Sequence, residues 1–191
     1  MIPLMFDGLM TPEALILAVI AVVIAAYLFF LEKKTKSDKN AALCDTYAVM
    51  TEELLTSVSD EEVVQAVVTN IMHKQDKRRP DVAATLGLMS RGRAAVYCVW
   101  LLCHEADKQD FDVVFKSSSR QFVEPAIDGL ERIGAANTAT ALRAAWRMAD
   151  DRSEQPLWDA VTTVFREAVA SEQPLVLCVR YIRENPEEFV D

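Results

Sequence analysis

The sequence predicts an all-α protein, with a single N-terminal transmembrane helix followed by a soluble domain of about seven helices. One apolar run is long enough to cross a bilayer, and the rest of the chain repeats apolar residues at helical spacing. No hairpin turn and no sustained alternation indicates a strand. The expected parts are a short N-terminal segment, the span, a linker and an acidic helical domain, at 1–13, 14–32, 33–40 and 41–191.

The first element is the membrane span. Residues 14–31 are 18 consecutive apolar residues between Glu13 and Glu32. As a helix with a rise of about 1.5 Å per residue they extend about 27 Å, close to the thickness of a bilayer core. A cleaved signal peptide needs a basic N-terminal region, whereas residues 1–13 contain neither Lys nor Arg. We therefore expect an uncleaved span that contacts the lipid bilayer through residues 14–31.

The charges on either side of the span predict its orientation, because Lys and Arg accumulate on the cytoplasmic side. Four lysines follow the span within eight residues, and no basic residue precedes it. We expect a single-pass protein of the cell membrane with its N-terminus outside and residues 32–191 in the cytoplasm. The span also contains Ala14/Ala18 and Ala21/Ala25, a small-residue spacing that permits the close approach of a second helix.

The first half of the soluble domain shows helices with identifiable ends. Apolar spacing predicts a first helix over 41–56. Ser59 and Glu62 form a capping box in front of a second helix. Ser90 is expected to cap a central helix that ends near Asp107 and is apolar nearly all round, which predicts that it is buried.

The second half of the domain continues in the same way. A short helix over 110–116 is followed by the cap-rich turn 117–119 and by a helix over 120–133, which ends with Gly134 as its C′ residue. Three further helices follow, joined by short loops. They are predicted to begin at Asn137 or Thr138, at Pro156 and at Pro174, and Pro186 is predicted to end the last of them.

The net charge of −9 lies in residues 40–191, which hold 25 acidic against 16 basic residues. This balance argues against direct binding of nucleic acid, because carboxylates repel phosphates. A solvated surface is the simpler explanation of the acidic clusters, and a row of carboxylates that resembles a DNA backbone is the more specific one. Four clusters stand out: 60–62, 105–112, 150–154 and 184–191.

No pattern in the sequence indicates catalysis, a metal site or a cofactor site. The segment from His104 to Lys108 begins like a zinc-protease motif but lacks the second histidine. Cys98 and Cys103, five residues apart on one helix, are expected to point to different sides. The sequence also has no nucleophile elbow and no Gly-rich phosphate loop. We therefore expect no enzyme activity, no catalytic residue, no metal, no cofactor and no small-molecule substrate.

Three motifs within residues 97–149 carry a family resemblance. They are Phe111-x3-Phe115-x-Ser117-Ser118, Phe122-x3-Ala126-x3-Leu130-x2-Ile133-Gly134-Ala135 and Ala139-x-Ala141-Leu142. Together they resemble a bacterial family of acidic all-helical domains of unknown function that is named after a DNA-mimic protein. The chain departs from that family at Lys108-Gln109-Asp110, where the family has Asn-Gly-Gly, and at Lys116, where it has Asn.

The residues and the resemblance together predict a membrane-anchored, non-enzymatic interaction domain that binds a cytoplasmic protein. A DNA-mimic surface is the more specific form of this hypothesis. The candidate surface consists of acidic residues that flank the family-like segment: Asp107, Asp110, Asp112, Asp150, Asp151 and Glu154. The alternative is a structural or assembly subunit of a membrane complex, recognised through its transmembrane helix.

Overall fold

The computed structural model describes residues 43, 45–75, 78, 80–150 and 158–191. The chain divides into two units, Met1–Leu43 and Cys44–Asp191, and all the helices named below belong to the second. The described residues contain nine α-helices, two 3₁₀ helices and no β-strand. The prediction of an all-α fold is confirmed for this part of the chain.

The helices follow one another with short connections. In chain order they are α1 (Glu52–Ser57), α2 (Val63–His73), α3 (Val82–Leu86), α4 (Arg91–Lys108), α5 (Phe111–Lys116), the 3₁₀ helix η1 (Ser118–Phe122), α6 (Val123–Ile133), α7 (Ala136–Asp150), α8 (Trp158–Glu172), α9 (Pro174–Glu184) and the 3₁₀ helix η2 (Pro186–Glu188). The predicted transmembrane helix at 14–31 and the linker at 33–40 lie outside the described residues. Among the helices of the described residues, none combines the length and the apolar character that crossing a membrane requires.

The centre of the domain is α4, which packs against α2, α6, α8 and α9. Ser90 caps it as predicted, since its hydroxyl accepts a 3.1 Å hydrogen bond from the Arg93 N–H. Gly129 lets α6 lie close to α4, because a Cβ at this position would be 3.0 Å from the Ala95 carbonyl oxygen. The helix is not buried all round, and His104 is one of the exposed residues of its last turns.

The turn between α6 and α7 confirms the predicted C′ glycine. Gly134 has a φ of 88°, and the Ala135 N–H donates a 2.8 Å hydrogen bond to the Leu130 carbonyl. This is the Schellman geometry, in which a glycine takes the left-handed conformation that other residues rarely adopt. A new helix begins immediately afterwards, within one or two residues of the predicted position.

Glu172 of α8 caps the first turn of α7. Its carboxylate accepts hydrogen bonds of 2.9 Å from the Asn137 N–H and 2.8 Å from the Thr138 N–H. Burial opposes ionisation of Glu172, but these N–H donors outweigh it, so the pKa of the carboxyl lies below its ordinary value. The first turn of α7 is therefore completed by a residue some 35 positions later.

Contacts between aromatic rings pack α5 against the helices around it. Phe111 stacks on Phe115 at a centroid distance of 4.9 Å and meets Phe165 of α8 edge-on at 5.0 Å. Phe115 also contacts Trp146 at 5.3 Å and Trp158 at 5.7 Å. Phe111 and Phe115 are both buried, so α5 contributes these two rings to the core.

The prediction of one continuous helix over 41–56 is wrong. The structure breaks it between Tyr47 and Thr51, and only α1 follows. The side-chain amide of the buried Asn70 donates a 2.9 Å hydrogen bond to the Tyr47 carbonyl. Thr51 then caps α1 by accepting a 3.1 Å hydrogen bond from the Leu54 N–H. Tertiary contacts therefore override the apolar spacing here.

Two smaller differences concern helix starts. Ser59 donates its hydroxyl to the Glu62 carboxylate at 3.3 Å instead of capping an N–H, and α2 begins after Glu62. The short helix α3 is not predicted by the sequence, because five residues are too few for a visible periodicity. It is capped by Asp81, which accepts a 3.0 Å hydrogen bond from the Ala84 N–H.

Residues 186–191, which we call the C-terminal strap, lie against the body of the domain. Phe189 is fully buried in the core. Met50 and Asp191 are joined by two hydrogen bonds: the Asp191 N–H donates one of 2.9 Å to the Met50 carbonyl, and the Met50 N–H donates one of 2.9 Å to the Asp191 side-chain carboxylate. The strap therefore joins residue 50 to the first turn of α4, where the Ser90 hydroxyl donates to the Glu188 carbonyl.

The Asp191 carboxylate is the most heavily hydrogen-bonded group of the strap. It lies 2.6 Å from the Lys74 ammonium and 2.7 Å from the Arg93 guanidinium, whose side chain is only 8% exposed. Burial opposes ionisation of Asp191, but the donors from Lys74, Met50 and Arg93 outweigh it, and the pKa of the carboxyl lies well below its ordinary value. Asp191 therefore carries its charge throughout the physiological pH range.

Asp191→Asn is expected to destabilise the domain by about 2 kcal/mol at pH 7, because an amide replaces the anion that Arg93 and Lys74 require. A lowered folded-state pKa means that the stabilisation is present above the unfolded-state value, about pH 4, and is lost as the pH falls below it. Urea denaturation of both proteins from acidic to neutral pH measures this difference. A pH-independent difference, or an equal loss in the exposed control Asp128→Asn, would contradict the assignment.

Gly129→Val is expected to destabilise the domain by about 2 kcal/mol, because the new side chain meets the Ala95 backbone and the Val99 side chain between α6 and α4. Gly87→Val is the matched control. A Cβ at Gly87 finds its nearest neighbour at an ordinary 3.4 Å, and this glycine is exposed. Equilibrium urea unfolding measures both variants, and equal losses at the two positions would show that α4 and α6 do not depend on close approach.

Candidate protein-interaction surface

The predicted residues Asp107, Asp110 and Asp112 lie together at the junction of α4 and α5, and we call them the α4–α5 acidic cluster. Asp107 is exposed and makes no ion pair with any described residue. Asp110 lies 3.6 Å from the Arg166 guanidinium, and Asp112 forms a 2.6 Å ion pair with Lys116. Two of the three carboxylates are therefore partly neutralised, which weakens their attraction for a basic partner.

Arg166 of α8 explains the position of this cluster. Its Nε donates a 2.7 Å hydrogen bond to the Ala106 carbonyl, and a cation near the C-terminal end of α4 is favourable. The Phe111 N–H at the start of α5 donates at 3.1 Å to the hydroxyl of Thr162, also from α8. The Asp110 side chain makes no capping hydrogen bond and lies near Arg166 instead.

The second half of the predicted surface is not tested by the structure. Asp150 is the last residue of α7, and only its backbone is described. Asp151 and Glu154 lie outside the described residues. The structure therefore brings together the three members of the α4–α5 acidic cluster and leaves the other three a prediction.

A second group of carboxylates lies near the start of the domain sequence. It consists of Glu52 and Glu53 in the first turn of α1 and of Asp60, Glu61 and Glu62 before α2, and we call it the α1–α2 acidic surface. All five residues are exposed, and Glu52 and Asp60 line one surface groove. Carboxylates in the first turn of a helix are favoured by its dipole, which accounts for the position of the first two.

Arg183 of α9 holds the turn between α1 and α2 in place. Its guanidinium donates a 2.6 Å hydrogen bond to the Val58 carbonyl and a further one to the Leu55 carbonyl. It also lies 2.8 Å from the Asp60 carboxylate. The other four carboxylates of the α1–α2 acidic surface have no cationic partner in the part of the chain that the structure describes.

Sequence reasoning found only part of this surface. Asp60–Glu62 stands out as an acidic cluster, but it is not among the predicted site residues, and Glu52 and Glu53 belong to a separate helix. The signal that could have found them is Thr51 followed by two glutamates, which is the pattern of a capped helix start. Only the turn that Arg183 holds brings the two acidic stretches near each other.

The acidic cluster at 184–191 is not a continuous surface. Glu188 accepts hydrogen bonds of 2.6 Å from the Gly92 N–H and of 2.6 Å from the Tyr181 hydroxyl. The Asp191 carboxylate forms ion pairs with Lys74 and Arg93. Glu184 and Glu187 are the exposed carboxylates of this stretch. Carboxylates that are adjacent in sequence therefore divide here between solvent and internal donors.

Of the cysteines that the structure describes, Cys98 and Cys178 are buried and Cys103 is half-buried. Burial raises the pKa of Cys98 and of Cys103 to about 12, and burial raises the pKa of Cys178 as well. They therefore remain protonated at neutral pH, whereas the thiolate is the form that attacks a substrate or binds a metal. Within the described ranges, no three His, Cys, Asp or Glu residues lie close enough to hold a metal ion.

Comparison with known proteins identifies a family. A family model described as DMP19-like protein matches residues 87–185, which is just over half of the 191 residues. The match runs from the residues before α4 to the residue after α9, and so extends beyond the segment 97–149 in both directions. The predicted family resemblance is confirmed. No curated protein and no solved structure matches the chain.

Proposed function

This chain belongs to the DMP19-like protein family, and we propose that it functions as a membrane-anchored, non-enzymatic domain that binds another protein. The partner is a cytoplasmic protein with a basic surface of the kind that binds DNA. The α1–α2 acidic surface is the main contact, and the α4–α5 acidic cluster adds to it. No residue of the domain is assigned a catalytic role.

The observation that carries this proposal is the concentration of exposed carboxylates without cationic partners. Glu52, Glu53 and Glu61 are exposed and unpaired among the described residues, within ten positions of the sequence. Duplex DNA presents about one negative charge per 1.7 Å of its axis, so a protein that imitates it needs closely spaced carboxylates. The position of Glu52 and Asp60 on one groove beside the turn between α1 and α2 supports this proposal.

Exposed charges of this kind favour fast, salt-dependent association. Their attraction for an oppositely charged surface is screened beyond about 8 Å at physiological ionic strength. Unlike the ion pair of Asp112 with Lys116, the unpaired glutamates lose no internal partner when a ligand binds. We therefore assign most of the electrostatic attraction to Glu52, Glu53 and Glu61.

The test uses the full chain in lipid nanodiscs, exposed to the cytoplasmic extract of its own cell and washed with rising salt. We expect a captured protein that salt elutes and that duplex DNA displaces. The triple variant Glu52→Gln, Glu53→Gln, Glu61→Gln should weaken its binding about tenfold, since each lost exposed charge contributes roughly 0.5 kcal/mol. The control Asp159→Asn, Glu167→Gln, Glu184→Gln removes the same charge from exposed positions of α8 and α9.

Three outcomes would count against the proposal. Capture that is insensitive to salt and to DNA excludes mimicry of DNA. An equal effect of the two triple variants places the contact elsewhere. Loss of the partner on deletion of residues 1–32, with no effect of either triple variant, favours the assembly subunit recognised through its transmembrane helix.

Membrane anchoring is the second part of the proposal, and the apolar run 14–31 with the lysines at 33–39 supports it. A fluorescent reporter that matures only in the cytoplasm, fused after Asp191, is expected to be active and to fractionate with membranes. An alkaline phosphatase fused at the same position, which is active only outside the cytoplasm, is the matched control and should be inactive. The opposite pattern would reverse the orientation.

A further inference from the structure

We propose that the groove between α1, the turn that follows it and the end of α9 receives a lysine side chain of the partner protein, an inference that rests on the function proposed above. The groove lies within the α1–α2 acidic surface and has a volume of about 530 Å³. This volume falls in the range of roughly 300–1,000 Å³ that is usual for ligand sites, so one long side chain fits inside it.

The floor of the groove is apolar. Leu55 of α1 and Ile182 of α9 are only 3% and 1% exposed, and Pro186 lines the groove with them. Lysine side chains lay their four methylene groups along such a surface while the ammonium stays in contact with water at its edge. A shorter amine makes fewer of these contacts, so the floor favours the full length of a lysine side chain.

Three exposed residues that line the groove can accept the hydrogen bonds of an ammonium group. The Glu52 carboxylate has no cationic partner among the described residues. The Thr56 hydroxyl donates at 2.8 Å to the Glu52 carbonyl, and its oxygen can still accept. Asp60 binds Arg183 through Oδ1, whereas its Oδ2 accepts no hydrogen bond from any described residue. An ammonium has three N–H donors, so these acceptors match it in number.

Among the described residues, Arg183 is the only cation that lines the groove, and its charge is already balanced. Its guanidinium donates to the Leu55 and Val58 carbonyls and lies 2.8 Å from the Asp60 carboxylate. Glu52 therefore remains as the uncompensated charge of the groove, and a cation that enters beside it is attracted. Entry of a lysine breaks none of the hydrogen bonds of Arg183, so no part of the domain has to leave.

The same contacts favour lysine over arginine. Arginine binds a carboxylate best when its planar fork reaches both oxygens. At Asp60 one of these oxygens already receives two N–H donors of Arg183, at 3.0 and 2.8 Å. A lysine ammonium is a compact charge that needs only one oxygen from each acceptor. The groove therefore distinguishes two side chains of equal charge.

The experiment uses the full chain in nanodiscs and three dye-labelled, amidated peptides, in which three lysines, three ornithines or three arginines alternate with glycines. Fluorescence anisotropy measures the three affinities at one salt concentration. The peptides carry equal charge, so the acidic surface attracts them equally, and ornithine differs from lysine by one methylene group. We expect the lysine peptide to bind about threefold more tightly than either of the others, the effect of one buried methylene group per side chain.

Four variants at exposed positions locate this selectivity. Glu52→Gln and Thr56→Val each remove an acceptor of the groove and should abolish the preference for lysine. Glu53→Gln removes the same charge from the next residue, outside the groove, and should weaken all three peptides alike and keep the preference. Thr140→Val is the control for Thr56, because the Thr140 hydroxyl also donates at 2.8 Å to the carbonyl four residues earlier. Circular dichroism verifies the fold of each variant.

Equal affinities of the three peptides, or a preference for lysine that survives both Glu52→Gln and Thr56→Val, would overturn the inference. The function proposed above has its own readout, because capture of a salt-eluted protein does not depend on the peptides. A captured protein that the triple glutamate variant weakens and Thr56→Val does not would place the contact outside the groove. A preference for lysine without any captured protein would count against the proposed function alone.

Discussion

The Arg93 guanidinium is buried in the first turn of the central helix, where it is favourable only because Asp191 and the Phe189 carbonyl accept its hydrogen bonds. Both acceptors belong to the strap, which therefore packs against α4, and the Phe189 side chain of the strap is buried in the core. Asp191 in turn pairs with Met50, where the chain enters the domain. The buried Arg93 charge therefore connects the central helix to the strap, and Asp191 connects the strap to Met50.

Elsewhere in the domain, side chains of the later helices form hydrogen bonds with backbone groups near the ends of the earlier helices. Thr162 of α8 accepts a hydrogen bond from the first N–H of α5, and Arg166 of α8 donates one to a carbonyl in the last turn of α4. Glu172 caps α7, and Arg183 of α9 binds the carbonyls of the turn after α1. Unpaired backbone groups are unfavourable when buried, so these contacts fix the relative positions of helices whose own sequences do not specify caps. The two acidic groups lie where they do because of them.

The acidic residues therefore divide into two classes that sequence alone does not separate. Glu172, Glu188 and Asp191 accept protein hydrogen bonds and act as structural anions. Glu52, Glu53, Glu61 and Asp107 remain exposed without a cationic partner among the described residues. The net charge describes solubility and long-range attraction, but burial and hydrogen bonding decide which carboxylates are available.

Local signals in the sequence determined the all-α class, the cap at Ser90, the C′ glycine at Gly134 and the helix that opens at Pro174, because each depends on neighbours within a few residues. Only the tertiary structure decided where the first helix breaks, since Asn70 takes the carbonyl of a residue 23 positions earlier. It also decided that the Asp191 carboxylate is bound by Lys74, Arg93 and Met50, whereas the Glu52 carboxylate has no cationic partner among the described residues. Hydrogen-bond partners more than a hundred residues apart, such as Met50 and Asp191, leave no local pattern, because their distance is set by the packing of all the helices between them.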